Sequence, residues 1–534
     1  MRLRKFWMFI VMLWISYSVS AYDIEVDGLY YNIVSTVDRT VALTYKESVK
    51  INGYYGGYND YSKEDLVIPT SIEYLGQTLK VVGIDIQAFE YNTSIKRLVI
   101  PSSILWLHQE CFDQCTSLEE VIIEDSEDPL VFKMKGRTFY FNECPISKLY
   151  IGRNIEVPGN NNRGPFEQLS ELKDVSFSGK VTSLIQAMFS DCTSLKSIML
   201  PIQCTKIGGG AFSGCTSLSV ISNTSQVTTI GGGAFINCSS LISFKCNDLK
   251  ELKPYTFYNC TSLKEVELGN SYVEVSEYAF DGCKNLSTLD ISKNATKICS
   301  YAFQNCTSLG EIIFPSSLTK VENYAFNDCQ SLKSIIIDYG DEPIKMGNLF
   351  LGEPDKENKI GIIEKLEINR DLKKTSNRLF YFSDVKEVTI GSEVKEIDAS
   401  FELSLANDLK NITIYANTPP KTNWYFYNNL LMSVKVKVPK GTKEAYQNSD
   451  SWKGFWNIEE MEISSGLTNN SISKISMYVF NNCLIISNKD ELSVVKIFNL
   501  QGVLMRETNE SEIHELPSGI YIVTVENQSF KIAI

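Results

Sequence analysis

Ala211-Phe212-Ser213-Gly214-Cys215-Thr216-Ser217-Leu218 returns as Ala234-Phe235-Ile236-Asn237-Cys238-Ser239-Ser240-Leu241, then as Thr256-Phe257-Tyr258-Asn259-Cys260-Thr261-Ser262-Leu263. It returns twice more, at 279–286 and 302–309. Self-similarity at a fixed period decides the architecture before any single element is assigned. Marker phenylalanines stand at 89, 112, 139, 166, 189, 212, 235, 257, 280, 303, 326, 350, 380 and 401. The steps are 22 or 23 residues, except for 27 twice and then 24, 30 and 21. A unit this short cannot bury its own apolar face, but stacked copies can, each using its neighbours as core.

Within the unit the pattern assigns each part. After Leu263 comes Lys264-Glu265-Val266-Glu267-Leu268, whose period of two makes a strand with Val266 and Leu268 inward. The same frame gives Leu286, Leu289 and Ile291, then Leu332, Ile335 and Ile337. A turn follows, often with proline (Pro101, Pro201, Pro315), and then a second short apolar stretch such as Leu318-Thr319-Lys320-Val321. Ala-Phe opens a short helical turn with Phe inside. Before the marker Cys stands Asp191, Gly214, Asn237, Asn259, Gly282, Asn305 or Asp328 in seven of nine units. These types accept a left-handed backbone and suit a sharp reversal. The expected fold is a repeat solenoid of about fourteen units, mostly short parallel β-strands with short helical turns.

The recurring Ser-Leu-x-x-Ile-x-Leu-Pro…Ile-x-x-x-Ala-Phe-x-x-Cys resembles the BspA-like leucine-rich repeat over about 65–460. The resemblance implies a bacterial surface protein that adheres to host proteins or other cells. Residues 22–64, beginning Tyr22-Asp23-Ile24-Glu25-Val26-Asp27-Gly28, resemble that family's N-terminal β-cap. Pro419-Pro420 and the stretch from Val436 through Trp452, Phe455 and Trp456 to Ile458 resemble its closure, so the solenoid is expected over 65–415 and its closure over 416–465. From 466 the texture becomes a polar linker and then short alternating strands, which read as a small β-sandwich. Val495-Lys496-Ile497-Phe498-Asn499-Leu500-Gln501-Gly502, Leu516-Pro517-Ser518-Gly519-Ile520-Tyr521 and Lys531-Ile532-Ala533-Ile534 resemble the C-terminal sorting domain of type IX secretion. That implies passage across the outer membrane, removal of 466–534 and attachment to surface lipopolysaccharide. The usual Asn-Pro near the start of such domains is absent; Phe480-Asn481-Asn482-Cys483 stands there.

The other end agrees with export. Arg2, Arg4 and Lys5 precede an apolar run over 6–15, and Val19-Ser20-Ala21 offers a cleavage site. The run is about half of the roughly 20 residues a bilayer requires, so 1–21 read as a signal peptide, and no transmembrane segment is expected in the mature chain. Loss of those three bases takes the formal charge from −13 to −16. Nucleic acids and anionic membranes need basic faces, so neither is expected as a partner.

No motif points to catalysis, a cofactor or a metal. Nine of fourteen cysteines occupy one repeat position, where a small apolar residue would pack. Buried thiols are expected there, with scattered disulfides between stacked turns as the alternative on an oxidising side, and zinc is not, because no histidine accompanies them. Gly208-Gly209-Gly210 and Gly231-Gly232-Gly233 lack the Lys-Ser or Lys-Thr of a phosphate loop and read as turn glycines. His108 and His514 lie in different domains and read as surface residues. The acidic run at 119–128 lacks calcium-loop spacing and falls where a unit is lengthened, so it reads as a solvated loop. Asn-Cys-Ser/Thr at 237, 259 and 305 follows from the repeat. Trp452, Phe455 and Trp456 read as packed cap residues.

Function is then left to the surface. Outward strand positions stack into columns. One reads Ile122, Met199, Ser222, Lys245, Glu267, Asp290, Ile313 and Ile336, and the other reads Glu120, Ser197, Val220, Ser243, Glu265, Thr288, Glu311 and Ser334. Lys245, Glu265, Glu267, Asp290, Glu311, Ile313 and Ile336 form the candidate ligand face. Its units have the most regular spacing, so the flattest columns are expected there. The first column mixes apolar and acidic residues without an aromatic, which favours a host or bacterial surface protein over a glycan as partner. A glycan-binding role in nutrient capture is the alternative reading.

Overall fold

Most described units lay down a longer strand, a shorter strand and a tight-turn corner, and these stack on their counterparts in the next unit. The computed structural model describes residues 21–51, 54–133, 140–159, 163–349, 363–374, 385–398 and 409–461 without 425 and 427, and a set of short strands within 476–533. The chain divides into two compact units, Met1–Glu459 and Glu460–Ile534.

The first unit is a β-solenoid of about 14 turns with almost no helix. Its longer strands pair in parallel, as in Arg97–Ile100, Glu120–Ile123, Lys148–Ile151 and Asp174–Phe177. The same face ends in a seven-stranded sheet running from Glu311–Phe314 to Asn457–Glu460. The shorter strands form the second face. There Gln77–Ile84 continues into Thr40–Thr44, so the antiparallel N-terminal strands extend the solenoid's own sheet. At the far end Trp452 Nε1 donates to the Pro420 carbonyl (2.8 Å) and the Tyr446 hydroxyl to that of Ala416 (2.6 Å). Trp452 and Phe455 are buried as expected, whereas Trp456 is 72% exposed. Its backbone N–H bonds the Leu431 carbonyl while its ring stays outside.

The corner expected to be a helical turn is a pair of tight turns flanked by left-handed residues. All nine residues preceding the marker Cys have φ between 55 and 77°, including Gln114 and Glu143 outside the seven expected ones. A second left-handed column stands just before Ala-Phe: Gln87, Glu110, Ala187, Gly210, Gly233, Tyr255, Tyr278, Tyr301 and Tyr324. The two glycine triplets thus serve this backbone.

The marker rings form one buried stack from Phe89 to Phe326, with neighbouring centroids 5.1–6.1 Å apart and planes within 22°. Its third member is Phe141 rather than Phe139, which lies outside the described residues, as do Phe350, Phe380 and Phe401. Phe-x-x-Cys spacing selects Phe141, because Cys144 follows it by three as Cys215 follows Phe212. Beside the rings runs the thiol column. The thiol of Cys215 donates to the Phe189 carbonyl of the preceding turn (3.0 Å), and Cys238 (3.0 Å), Cys283 (3.2 Å) and Cys306 (3.2 Å) repeat the contact. The thirteen described cysteines are unbridged and buried. Burial pushes Cys215 up to about 12, so these thiols are not nucleophiles in the folded chain.

The second unit has two antiparallel sheets, one of three strands between Ser476 and Ile513 and one of four between Val495 and Ala533. Leu484, Ile486, Val495, Ile497, Ile513, Leu516, Tyr521, Val523 and Val525 form its own core.

Candidate functional site

The strand face carries the candidate residues in two groups. Ser243–Lys245 pairs with Glu265–Glu267, which sets Lys245 beside Glu267 in register. The Lys245 ammonium reaches Glu265 (2.7 Å) and Glu267 (2.8 Å), all three well exposed. Glu265 and then Glu267 hold Lys245 above its ordinary range, and Lys245 holds Glu265 below its own. Exposed pairs of this kind contribute little stability. In the other group Ile313 pairs with Ile336 and Glu311 with Ser334. Ile313 is 39% exposed, and Ile336 is half-buried.

The expected flat, continuous column between these groups is absent. Asp290 lies in a segment without strand pairing. The buried Tyr272 hydroxyl accepts from the Ser292 N–H (2.8 Å) and donates to the Asp290 carbonyl (3.4 Å), so a side chain stands in for the ladder. A second break follows Val220–Ser222, where the Thr224 hydroxyl takes the Lys245 carbonyl and the Asn223 amide that of Leu200. Spacing is regular in these units because the Phe corner sets it; the strand ladder depends on other residues.

The first column also contains an aromatic that sequence reading missed. Tyr150 pairs with Ile122 and with Ser176. Its hydroxyl donates to Asp125 (2.6 Å), which also accepts from Ser178 (2.9 Å), so the acidic run is tied to the turns above it. Among the described residues no cluster of three or more His, Cys, Asp or Glu is arranged to hold a metal. His108 is half-buried, edge-on to Trp106 (5.2 Å), and His514 lies outside the described residues. Exposed apolar side chains on or beside the strand face include Ile202 (70%), Met199 (63%), Val67 (58%), Val220 (51%) and Ile242 (47%). Ile202 and Ile242 escaped the sequence columns because they sit just outside the strands.

A further feature lies at the corner. Tyr255, Tyr278 and Tyr301 stack one per turn, with centroids 4.9 Å apart and planes within 6°, and Tyr324 follows at 5.4 Å. Each is left-handed, with φ of 55–63°. That backbone costs a side-chain-bearing residue on the order of 1–2 kcal/mol, while each ring pair returns about 0.5–1.5 kcal/mol. With four such residues and three ring pairs, the stacking does not repay the backbone cost, so stability alone does not account for the ladder. Its signal in the sequence is a tyrosine immediately before Ala-Phe or Thr-Phe in four successive units.

A BspA type leucine-rich repeat region, in six copies, matches residues 69–162, 137–249, 242–348 and 358–453. No curated protein matches the chain. Among solved structures, a leucine-rich repeat protein from Bacteroides ovatus is 23% identical, with 65% of this chain and 95% of that one covered at a TM-score of 0.39. A leucine-rich cell surface protein from Faecalibacterium prausnitzii is 22% identical over 64% and 97%, at 0.31. The pneumococcal vaccine antigen PcpA is 17% identical over 82% and 98%, at 0.39. Among the described residues no helix is long and apolar enough to cross a membrane. With the family's repeat matched over well over half of its length, and one strand–strand–turn unit repeated along the solenoid, this chain belongs to the BspA-type leucine-rich repeat family.

Proposed function

We propose that the chain is exported to the outer cell surface and binds a host or bacterial protein along the strand face, without catalysing a reaction. The observation that carries this is the pairing of Ile313 with Ile336 on a face that also displays Glu265, Glu267 and Glu311. Apolar anchors inside a charged surround suit protein contacts, in which a few desolvated side chains dominate affinity. Acids outnumber bases there, so a partner with a basic patch associates faster, and association slows as salt rises. Surface proteins of host and bacterial origin, screened with fragment 22–464, supply the ligand. The pair Ile313→Asp and Ile336→Asp is expected to weaken binding at least tenfold with little change in thermal midpoint. Full binding by that pair would move the contact to Met199, Ile202, Val220 and Ile242 or to another face.

The second unit is assigned the sorting role, with 466–534 directing passage across the outer membrane before removal and transfer to lipopolysaccharide. A small β module with its own core supports this, because it can be cut away without opening the solenoid. Deleting 467–534 is expected to leave the protein in the periplasm; undiminished surface display of the truncated chain would remove the sorting role.

A further inference from the structure

We propose that the tyrosine ledge formed by Tyr255, Tyr278, Tyr301 and Tyr324 is a binding site for a neutral glycan chain. The solenoid does not need tyrosine at this corner. The turns carrying Gly210 and Gly233 close with the same hydrogen bonds, Phe212 N–H to the Ala234 carbonyl (2.9 Å) and Phe235 N–H to that of Thr256 (3.0 Å). Phe280 N–H to the Ala302 carbonyl (2.8 Å), within the tyrosine turns, is no better. Four successive turns nonetheless hold a bulky residue in a backbone that favours glycine, and strain retained in this way concentrates at functional sites.

The ledge shows solvent what an amphipathic ring-built ligand requires. Tyr255 is 40% exposed, and its three followers are half-buried. None of the four hydroxyls has a hydrogen-bond partner among the described residues, so one phenol edge with a free hydroxyl is offered per turn. The residues beside the column are polar: Ser276, Glu277, Ser300 and Asn323. On the adjoining short strands Lys297 and Lys320 pair with Glu322 (3.2 and 2.8 Å). A protein interface is centred on a desolvated apolar patch, and a row one side chain wide with polar margins is not one. The flanking lysines are already paired with Glu274 and Glu322, so no uncompensated positive charge is offered to a polyanion. A neutral polysaccharide fits, because each sugar carries an apolar C–H surface for the phenol edges and hydroxyls for the phenolic oxygens and the flanking charges.

The test is migration of the full-length chain in native gels cast with soluble xylan, β-glucan or galactomannan. At least one is expected to retard the chain. The pair Tyr278→Gly and Tyr301→Gly is expected to need at least tenfold more of that polysaccharide for the same retardation. Glycine relieves the left-handed backbone, so the variant folds, and an unchanged thermal midpoint verifies it. The pair Ile313→Asp and Ile336→Asp is expected to be retarded as the parent chain is, which separates this site from the strand face. Retardation by none of the three, or equal retardation of the glycine variant, overturns the proposal. A protein ligand lost by the glycine variant, with no polysaccharide bound, would make the ledge a protein contact and overturn it as well.

Discussion

Phe280→Ala is expected to destabilise the solenoid by about 3–5 kcal/mol, the range for truncating a buried phenylalanine. The ring is fully buried between Phe257 (5.5 Å, 8°) and Phe303 (5.4 Å, 5°). Collapse into the space is blocked, because hydrogen bonds between successive turns hold both neighbours in place. Phe257 N–H bonds the Ala279 carbonyl and Phe303 N–H that of Ala325, each at 2.8 Å. A cavity that cannot relax takes the upper part of the range. In a stacked array stability is a sum of unit and neighbour terms, so the loss falls on two interfaces at once. Urea unfolding of the parent chain and the variant measures it, with Val273→Ala as the control, since Val273 is 55% exposed. A change below about 1 kcal/mol would mean that the ring stack is not the core of the unit.

The stack was legible because it repeats. A phenylalanine every 22 or 23 residues has one spatial meaning, and the left-handed residue before each Cys follows from Asn, Asp and Gly at that place. Phe139 misled where insertion put two phenylalanines near one slot, and the fixed distance to Cys144 was the better guide. The candidate face was less legible. Alternation placed Ile313 and Ile336 outward and adjacent correctly, but it could not show that the Tyr272 hydroxyl would stand in for the ladder beside Asp290. That contact is made by a side chain from the preceding turn, and strand periodicity carries no trace of it. Tyr150 was hidden because its unit is reached through a lengthened step, and column reading jumped over it.

Arg153→Ala is expected to cost about 2–4 kcal/mol, for a reason that the two lengthened units share. Arg153 is fully buried and reaches back two turns, donating to the carbonyls of Pro101 (2.9 Å) and Ser102 (3.2 Å). Arg370 does the same to Pro315 (2.7 Å) and Ser316 (2.8 Å). Each spans a unit whose turn between the longer and the shorter strand is enlarged, at 124–129 and at 338–343, both acidic and both ending in proline. Burial pushes both guanidinium groups down to about 10. The folded chain therefore holds each proton less tightly than the unfolded chain does, so the charge itself opposes folding. What Arg153 contributes is a partner for the buried Pro101 carbonyl and the part-buried Ser102 carbonyl, and a buried group left unpaired costs about 1–3 kcal/mol. Arg153→Met separates the two effects. It fills much of the same space, removes the charge and still orphans the carbonyls. Equilibrium unfolding should find Met intermediate between Arg and Ala. A methionine variant more stable than the parent would show that relief of the buried charge outweighs the carbonyl contacts, as replacement of buried ionic groups by apolar ones can do.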